Sequence, residues 1–286
     1  MNEQVSIVLS TYEQPRCLEL ALLGYARQTL SDFEVVVADD GSGPETASVV
    51  RRAAEEGLNV RHVWHPDRGF RKTEALNRAI AAAAGAYLIF SDGDCIPRDD
   101  FVATHLSLAE PDRFLSGGYL KLPESVTLEV DERAIDTGHV FDASWLRAHG
   151  YRPGRRALRL TRSAMLARAL DAITPTRPTW NGHSASTWKE HLLSINGFDL
   201  DMGWGGLDRA AGERLENAGV HGKQIRHRAV CLHLHHGRPY KDPATTRANR
   251  AIRDRIRRQR ETRAPNGLRE TAAIDVSVRI DPEATA

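Results

Sequence analysis

The chain has 286 residues, of which 41% are hydrophobic and 27% are charged, so it can bury a full core and has the composition of a globular protein. Its formal net charge of +1 argues against a general polyanion-binding protein of the kind that coats nucleic acid. Cys17, Cys95 and Cys231 are too few and too far apart for a disulfide framework or a zinc site. This cysteine usage favours a reducing compartment.

The sequence predicts neither a secretion signal nor a membrane span. Residues 1–4 lack the basic and apolar regions of a signal peptide. The longest uncharged stretch of the central region, residues 79–91, is too short to cross a bilayer. We therefore expect a cytoplasmic protein.

The first part of the chain alternates between strand and helix patterns. Runs rich in β-branched and other apolar residues predict buried strands at 5–11, 33–38, 59–64 and 87–90. Apolar residues at helical spacing predict helices between them at 16–29, 45–57 and 72–84. This order predicts an α/β fold with a mostly parallel central sheet flanked by helices on both faces.

Two of the predicted strands end in acidic residues. Asp92 and Asp94 are separated only by Gly93, so both carboxylates can turn toward one divalent cation that also carries phosphate oxygens. An ordinary Asp-Gly turn explains this stretch alone equally well. Asp39 and Asp40 follow an earlier strand, where one can accept from a base or a ribose hydroxyl and the other can serve as a turn or cap residue. Ligands of such sheets bind at this edge.

The segment before the third helix is basic. Arg68, Arg71 and Lys72 surround a glycine there, which is typical of a diphosphate cradle at a helix N-terminus but also of a solvated loop. No strand is followed by a Gly-x-Gly-x-x-Gly or Walker-type loop, so a dinucleotide fold or a P-loop is not expected.

The second half shows fewer strands. A helix is predicted at 101–108 and a strand at 114–120, and apolar residues between Leu158 and Ile173 predict a basic amphipathic helix. We favour an ordinary surface helix there over a membrane or acceptor contact. A glycine-rich segment at 203–206 precedes Asp208, at the start of a helix that ends at Gly219. Asp208 is either a helix cap or, as we prefer, a general base.

Histidines and arginines mark the C-terminal part. Residues 230–236 alternate, so His233 and His235 are predicted to face one way and His236 the other. One of the first two could complete a metal shell beside Asp94, although a core histidine is nearly as well supported. Residues 247–263 hold eight arginines and two acids, which predicts an exposed helix followed by a loosely packed tail.

Several motifs, in this order and spacing, resemble family 2 glycosyltransferases. The first-half motifs are Ser6–Tyr12, Val36–Ser42, Gly69–Arg71 with Ala75–Asn77, and Ser91–Asp94. The second-half motifs are Trp180–Ser184, Asn196–Asp199 and Gly203–Asp208. The resemblance covers about residues 5 to 240 and is weak between about 120 and 175. As an ordered set the motifs are a strong signal.

The resemblance implies a GT-A fold, inversion at the anomeric carbon, a divalent metal (Mn²⁺ or Mg²⁺) and a nucleoside-diphosphate sugar donor, with a UDP-sugar expected. Asp208 would be the catalytic base, and Asp92, Asp94, His233 and His235 are the candidate metal ligands. The candidate donor-binding residues are Thr11, Tyr12, Glu13, Asp39, Asp40, Arg71, Lys72, Asp92, Gly93, Trp204, Gly205 and Gly206. Glu13 and Leu207 depart from the family pattern, and Leu207 replaces an acid.

We expect a GT-A domain over residues 1–243, with a donor-binding half (1–95) and an acceptor-side half (96–243). Residues 244–286 would form the arginine-rich helix and a flexible tail, with peripheral contact to the inner face of the membrane. The acceptor would be a hydroxyl-bearing glycan, a lipid-linked molecule or a small molecule, and no nucleic acid partner is expected. Alternatives are a nucleotidyltransferase of sugar phosphates and a non-catalytic nucleotide-sugar-binding module.

Overall fold

A computed structural model describes residues 5–237, 242–274 and 278–281. The strands are β1 (Val5–Thr11), β2 (Phe33–Asp39), β3 (Val60–Trp64), β4 (Tyr87–Asp92), β5 (Cys95–Pro97), β6 (Arg113–Ser116), β7 (Gly118–Lys121), β8 (Ala185–Trp188), β9 (His221–Gln224), β10 (Val230–His233) and β11 (Arg279–Asp281). The helices are α1 (Pro15–Ala26), α2 (Pro44–Glu55), α3 (Lys72–Ala82), α4 (Phe101–Ser107), α5 (Glu124–Leu128), α6 (Glu132–Asp136), α7 (Ala143–Ala148), α8 (Ala164–Ile173), α9 (Lys189–Ser194), α10 (Leu207–Asn217), α11 (Pro243–Gln259) and α12 (Leu268–Thr271). Two 3₁₀ helices lie at His139–Phe141 and Gly154–Leu160.

The larger sheet has the strand order β11-β3-β2-β1-β4-β8-β6-β9. Its four central strands, β3, β2, β1 and β4, are parallel, whereas β8 and β11 pair antiparallel with β4 and β3. A smaller sheet has the order β5-β10-β7. The predicted α/β fold with a mostly parallel sheet is confirmed, and its central strands end where the sequence carries its aspartates.

Apolar side chains fill both faces of the larger sheet, because β1 and β2 are buried along their whole length. Successive residues of a strand point to opposite faces. Val8 and Val36 therefore join the apolar cluster on one face, while Ile7 and Val35 join the cluster on the other. Helices on each side complete these two layers, which leaves only the strand ends for polar chemistry.

The prediction of one strand at 114–120 is wrong in one respect, because this stretch forms two strands that belong to different sheets. β6 belongs to the larger sheet and β7 to the smaller one, with Gly117 between them. A Cβ atom added at Gly117 would lie 1.9 Å from Ser184 Oγ, so only glycine fits this crossing. The chain changes sheets at this glycine and carries Tyr119 toward the acidic strand ends.

The C-terminal region packs on the domain, which for the described residues corrects the loose packing expected after Pro265. Ala264 N donates to Ile195 O (2.9 Å) and Leu268 N to Asn196 O (2.8 Å). β11 extends the larger sheet at β3, where the Arg279 guanidinium lies 4.1 Å from the centre of the Trp64 ring. Among the described residues, no helix is both long enough and apolar enough to cross a membrane.

Candidate active site

One cavity of about 790 Å³ lies at the carboxyl ends of the central strands. It is lined by the ends of β1, β2 and β4, by the starts of α3 and α10, and by β7 and the residues after β10. Asp92 and Asp208 are far apart in sequence and both line it. The cavity therefore joins the two halves of the chain in one site.

Asp92 is held in place by a cation and a hydroxyl group. Lys72 Nζ lies 2.6 Å from Asp92 Oδ1, and Ser10 Oγ donates to the same oxygen at 2.8 Å. Burial alone would raise the pKa of Asp92, but the Lys72 ammonium and the Ser10 hydroxyl hold it below its ordinary value. Asp92 is therefore an anion with a fixed orientation, and Lys72, predicted for phosphate, contacts it directly.

Asp94 faces one histidine at the end of β10 and another just after it. His236 Nε2 lies 2.9 Å from Asp94 Oδ2, and His233 Nε2 lies 3.9 Å from the same atom. The His233 and His236 rings stack with their centres 5.4 Å apart. The predicted alternation, with His235 beside His233, is wrong: β10 ends at His233, and the ring that stacks on His233 is that of His236. His236 thus takes the position expected of His235, whose backbone N–H donates to Thr127 Oγ1.

This cluster fits a divalent cation. A carboxylate and two imidazoles converge at Asp94. Carboxylate oxygens suit Mn²⁺ and Mg²⁺, and imidazole nitrogens suit several divalent transition metals. Ligand atoms of Asp94, Cys95 and His233 lie within 4.8 Å of one another. Cys95 is the least suitable donor of this group, because thiolates favour softer metals than the expected Mn²⁺ or Mg²⁺. The fitting donors are therefore Asp94, His233 and His236, whereas Asp92, also predicted as a ligand, pairs with Lys72.

Asp208 enters the cavity from the first turn of α10. Gly205 and Gly206 before it have φ of 99° and 94°, which glycine adopts without strain, and Gly206 is the N-cap residue of the helix. A Cβ added at Gly182 would lie 3.0 Å from Asp208 Oδ1, so that backbone closes over the carboxylate. Asp208 Oδ1 is buried without a hydrogen-bond partner among the described residues. Such an oxygen is ready to accept from a ligand.

Burial and the neighbouring Asp92 raise the pKa of Asp208 to about 6, against the opposing effect of the Lys72 ammonium. Lys72 itself would lose basicity through burial, but Asp92 and Asp208 raise its pKa above the ordinary value. Lys72 is therefore a cation between two carboxylates of different basicity. Unequal pKa values in neighbouring acids are typical of sites that move protons.

The two aspartates at the end of β2 take different positions. Asp40 lines the cavity, accepts from Arg71 N at 2.9 Å, and has its pKa raised to about 7 by burial. Asp39 is fully buried, with its oxygens 2.8 Å from Ser42 N and His62 Nε2. The sequence did not decide which of the two aspartates meets a ligand. The structure brings only Asp40 to the cavity, because Asp39 already has two partners.

The predicted residues after β1 line the cavity rim. Thr11, Tyr12 and Glu13 all contribute to the lining. Tyr12 Oη donates to Asp67 Oδ2 (3.2 Å), and Glu13 Oε1 accepts from Gly43 N (2.7 Å).

The predicted cation cradle at 68–72 is reduced to one residue. Arg68 pairs with Glu74 at 2.8 Å, and the exposed Arg71 side chain donates to the carbonyl of Phe70. Neither arginine lines the cavity, whereas Lys72 does. The predicted side-chain contact of Arg71 with the site is therefore wrong, because Arg71 reaches the site only through its backbone N–H.

Other cavity residues did not enter the predicted site: Tyr119, Lys121, His183 and His236. The Tyr119 and His183 rings lie 4.3 Å apart, and burial lowers the pKa of His183 to about 4, so it is neutral. Only His183 lay in a motif that the sequence singled out. Tyr119 and Lys121 reach the cavity through the change of sheets at Gly117, where the glycine pair predicts a bulge or a close backbone approach but not a change of sheet.

Leu207, where the family pattern has an acid, is 4% exposed and joins the apolar cluster of Phe90 and Trp180. Its side chain anchors the start of α10 in the core. Trp204, Gly205 and Gly206 line the cavity beside it, as predicted residues of the donor site. The apolar Leu207 therefore fixes the position from which Asp208 projects.

Comparison with solved structures identifies the class of this fold. The mannosyltransferase PcManGT from Pyrobaculum calidifontis, solved with GDP-Man and Mn²⁺, matches 96% of this chain and 65% of its own with a TM-score of 0.54 and 23% identity. S. aureus TarS 1-349, solved with UDP-GlcNAc, matches 87% of this chain and 65% of its own with a TM-score of 0.57 and 16% identity. The fold of this chain is the GT-A fold of glycosyltransferases.

The family follows from the sequence matches. The family model "Glycosyl transferase family 2" matches residues 6–129, and the chain belongs to this family. Validoxylamine A glucosyltransferase of Streptomyces hygroscopicus subsp. jinggangensis (strain 5008) is 30% identical over 236 residues, covering 76% of this chain and 52% of that protein. Chondroitin synthase of Escherichia coli is 33% identical over 109 residues, or 38% of this chain and 16% of that protein. The chain spans about half the length of the first relative.

Proposed function

We propose that the protein is a metal-dependent, inverting glycosyltransferase that moves a sugar from a nucleoside-diphosphate sugar to a hydroxyl group of an acceptor. The observation that carries the proposal is the shared cavity, which is lined by Asp92, Asp94 and Asp208. A sugar between these acids would have its diphosphate near the first two and its reacting carbon near the third.

Asp208 is proposed as the general base. The acceptor oxygen bonds to the anomeric carbon, the bond from that carbon to the diphosphate breaks with its electron pair leaving on the diphosphate, and Asp208 takes the acceptor proton. The support is a buried carboxylate oxygen without a partner and a pKa raised to about 6 by burial. A base of this strength is ionised at neutral pH and more basic than an exposed aspartate.

The donor end is proposed at Asp40, Lys72 and the metal cluster. Asp94, His233 and His236 would hold a divalent cation, which offsets the negative charge that develops on the departing diphosphate. Asp40 would accept from the base or the ribose, since it lines the cavity and already orders the backbone of Arg71. Lys72 keeps Asp92 oriented and adds positive charge beside the phosphates. The UDP class and the cytoplasmic location stay predictions.

A thermal-shift panel with UDP-, GDP- and dTDP-sugars, each with and without Mn²⁺ or Mg²⁺, tests the donor site. Binding at about 100 times Kd stabilises a folded protein by about 2.7 kcal/mol. We expect one base class to raise Tm, and to do so only with the metal. Equal shifts with and without metal would contradict the metal-dependent part of the proposal.

A variant of the cluster and a matched control sharpen this test. Asp94→Asn should remove the metal-dependent shift, whereas Asp112→Asn, at an exposed aspartate outside the cavity, should keep it. Transfer is then measured as release of the nucleoside diphosphate from the selected donor. Release of inorganic diphosphate from a nucleoside triphosphate and a sugar phosphate would instead identify a nucleotidyltransferase.

A further inference from the structure

The segment 151–178, which contains α8 and the 3₁₀ helix before it, is unusually basic. It has seven arginines and one acid, Asp171, in a chain whose net charge is +1. Five of the arginines are exposed and have no carboxylate partner in the part of the chain that the structure describes: Arg152, Arg155, Arg156, Arg168 and Arg177. This surface therefore presents uncompensated positive charge.

The same segment exposes apolar side chains. Met165 is 82% exposed and Ile173 is 76% exposed. Met165, Ala169 and Ile173 follow at intervals of four residues, so they lie along one face of α8. Four of the seven large hydrophobic residues exposed among residues 5–237, 242–274 and 278–281 belong to this segment: Leu158, Met165, Leu166 and Ile173. Large apolar side chains exposed along one helix face favour an interaction surface.

The inward face of α8 fixes this orientation. Asp171 is buried, accepts from His227 N at 2.9 Å and pairs with Arg228 Nε at 2.8 Å. Ala167, on the same side of the helix, is also buried. Turning Met165 and Ile173 inward would break the buried pair of Asp171 and Arg228, which is costly. The helix is thus anchored by its polar residue and presents its apolar residues outward.

We propose that the segment 151–178 is a membrane-contact surface that binds bilayers containing anionic lipids. Met165 and Ile173 insert at the boundary of the acyl chains, and the surrounding arginines contact headgroup phosphates. A lipid bilayer offers both chemistries side by side, whereas nucleic acid offers phosphates without an apolar layer. Charge complementarity with the exposed arginines selects anionic over neutral lipid.

This assignment differs from the membrane contact expected at the arginine-rich C-terminal helix. On α11, Arg253 and Arg257 pair with Glu213, and Arg255 pairs with Glu261. These pairs fasten α11 to α10 and to its own C-terminal turn and neutralise part of its charge. The segment 151–178 has both the apolar face and the unpaired arginines.

The proposed surface adjoins the cavity. Arg159, in the 3₁₀ helix, donates from Nη1 to the carbonyl of Tyr119, and the Tyr119 side chain lines the cavity. A bilayer bound by this segment would therefore lie on the Tyr119 side of the site.

Flotation of the full chain with vesicles of phosphatidylcholine, with and without phosphatidylglycerol, tests the proposal. We expect binding to the anionic vesicles and little binding to the neutral ones. The double variant Met165→Ser/Ile173→Ser should lower the partition coefficient by at least about tenfold, because two apolar side chains no longer insert. Arg155→Ser/Arg168→Ser should lower binding to the anionic vesicles by roughly tenfold or more.

Two matched controls lie elsewhere on the surface. Leu193→Ser removes an exposed apolar residue of α9, and Arg250→Ser/Arg258→Ser removes two exposed arginines of α11; both should bind as the parent does. Equal losses in the controls, or no binding by the parent, would overturn the proposal. It is also overturned if Met165→Ser/Ile173→Ser dissociates a dimer seen by light scattering without changing vesicle binding. The assay needs neither donor nor acceptor, so its failure leaves the proposed transferase reaction untouched.

Discussion

Two opposing effects set the pKa of Asp208: burial and the negative charge of Asp92 raise it, and the positive charge of Lys72 lowers it. Burial is the larger effect, so the pKa rises to about 6 while Lys72 keeps the group from becoming a neutral acid at pH 7. An ordinary aspartate has a pKa near 3.8 and is a weak base. The proposed role of Asp208 thus depends on a buried position that a leucine in the core and two glycines create.

Asp208→Asn should reduce transfer by about two to four orders of magnitude, the usual size of a general-base contribution. The amide cannot take the proton, yet it has almost the volume of the acid, so the donor should still raise Tm as in the parent. Initial rates and thermal shifts on the same samples measure both effects, with Asp112→Asn as the control. Near-parental transfer would remove Asp208 from the mechanism.

The pH profile provides a second test of the same residue. A base must be ionised, so kcat/KM should fall about tenfold per pH unit below about pH 6, where the raised pKa of Asp208 lies. The residual activity of Asp208→Asn should lack this acidic limb. A limb that persists in the variant would belong to another group, such as Asp40, whose pKa burial raises to about 7.

At the scale of elements, the site depends on where two helices begin. Lys72 is the first residue of α3, and Asp208 is the second residue of α10. Asn77 fixes α3 to the segment that leads into α10, because its Oδ1 accepts from Phe198 N (2.8 Å) and its Nδ2 donates to Phe198 O (2.9 Å). The same Nδ2 lies 3.1 Å from Thr271 Oγ1 on α12.

Asn77→Ala should lower the free energy of unfolding by about 3 kcal/mol, since it leaves several buried polar groups without partners. Asn59→Ala, at an exposed asparagine, should cost less than about 1 kcal/mol. Urea unfolding monitored by circular dichroism measures both variants. A loss in Asn77→Ala no larger than in Asn59→Ala would show that the junction does not depend on these bonds.

The sequence predicts the first four strands well because each is a short run rich in β-branched and other apolar residues between breakers. β1, for example, has the predicted bounds, whereas β4 continues to Asp92, two residues beyond the apolar run. Local sequence patterns do not predict the structure where contacts between distant residues determine it. Gly117 separates two strands that look like one, and His236, beyond the end of β10, lies beside Asp94.

Within the site, sequence patterns identify the acids better than their partners. Asp92, Asp94 and Asp208 lie in motifs, and all three line the cavity. Nothing local shows that Lys72 pairs with Asp92 or that Asp39 is satisfied by His62, because these contacts join residues distant in the chain. The packing of α8 with its apolar face outward is likewise set by Asp171 and a distant arginine.

For the whole molecule, buried histidines limit stability in acid. His105 is fully buried, with Nδ1 2.7 Å from Ser186 Oγ, and burial lowers its pKa from 6.5 to about 3. Between these values the unfolded chain binds a proton that the folded chain does not. The contribution of neutral His105 to the free energy of unfolding is therefore complete above about pH 6.5 and is lost as the pH falls toward 3. At pH 5 the loss from this group is about 2 kcal/mol.

His105→Gln should flatten the dependence of unfolding free energy on pH between 6.5 and 4 by up to about 1.4 kcal/mol per pH unit. His139→Gln, at an exposed histidine, should keep the parental slope. Urea titrations at several pH values measure these slopes. An unchanged slope in His105→Gln would mean that His105 is not the group that takes up the proton.

The pairing of β11 with β3 has a consequence for biosynthesis. β3 is synthesised early. The backbone amides on its outer edge have no strand to pair with until residues 279–281 have emerged from the ribosome. During that interval the nascent sheet has an open edge onto which a neighbouring nascent chain could add a strand. Chaperones that shield exposed strands during translation should therefore affect the yield of this protein more than that of a domain whose sheet edge closes early.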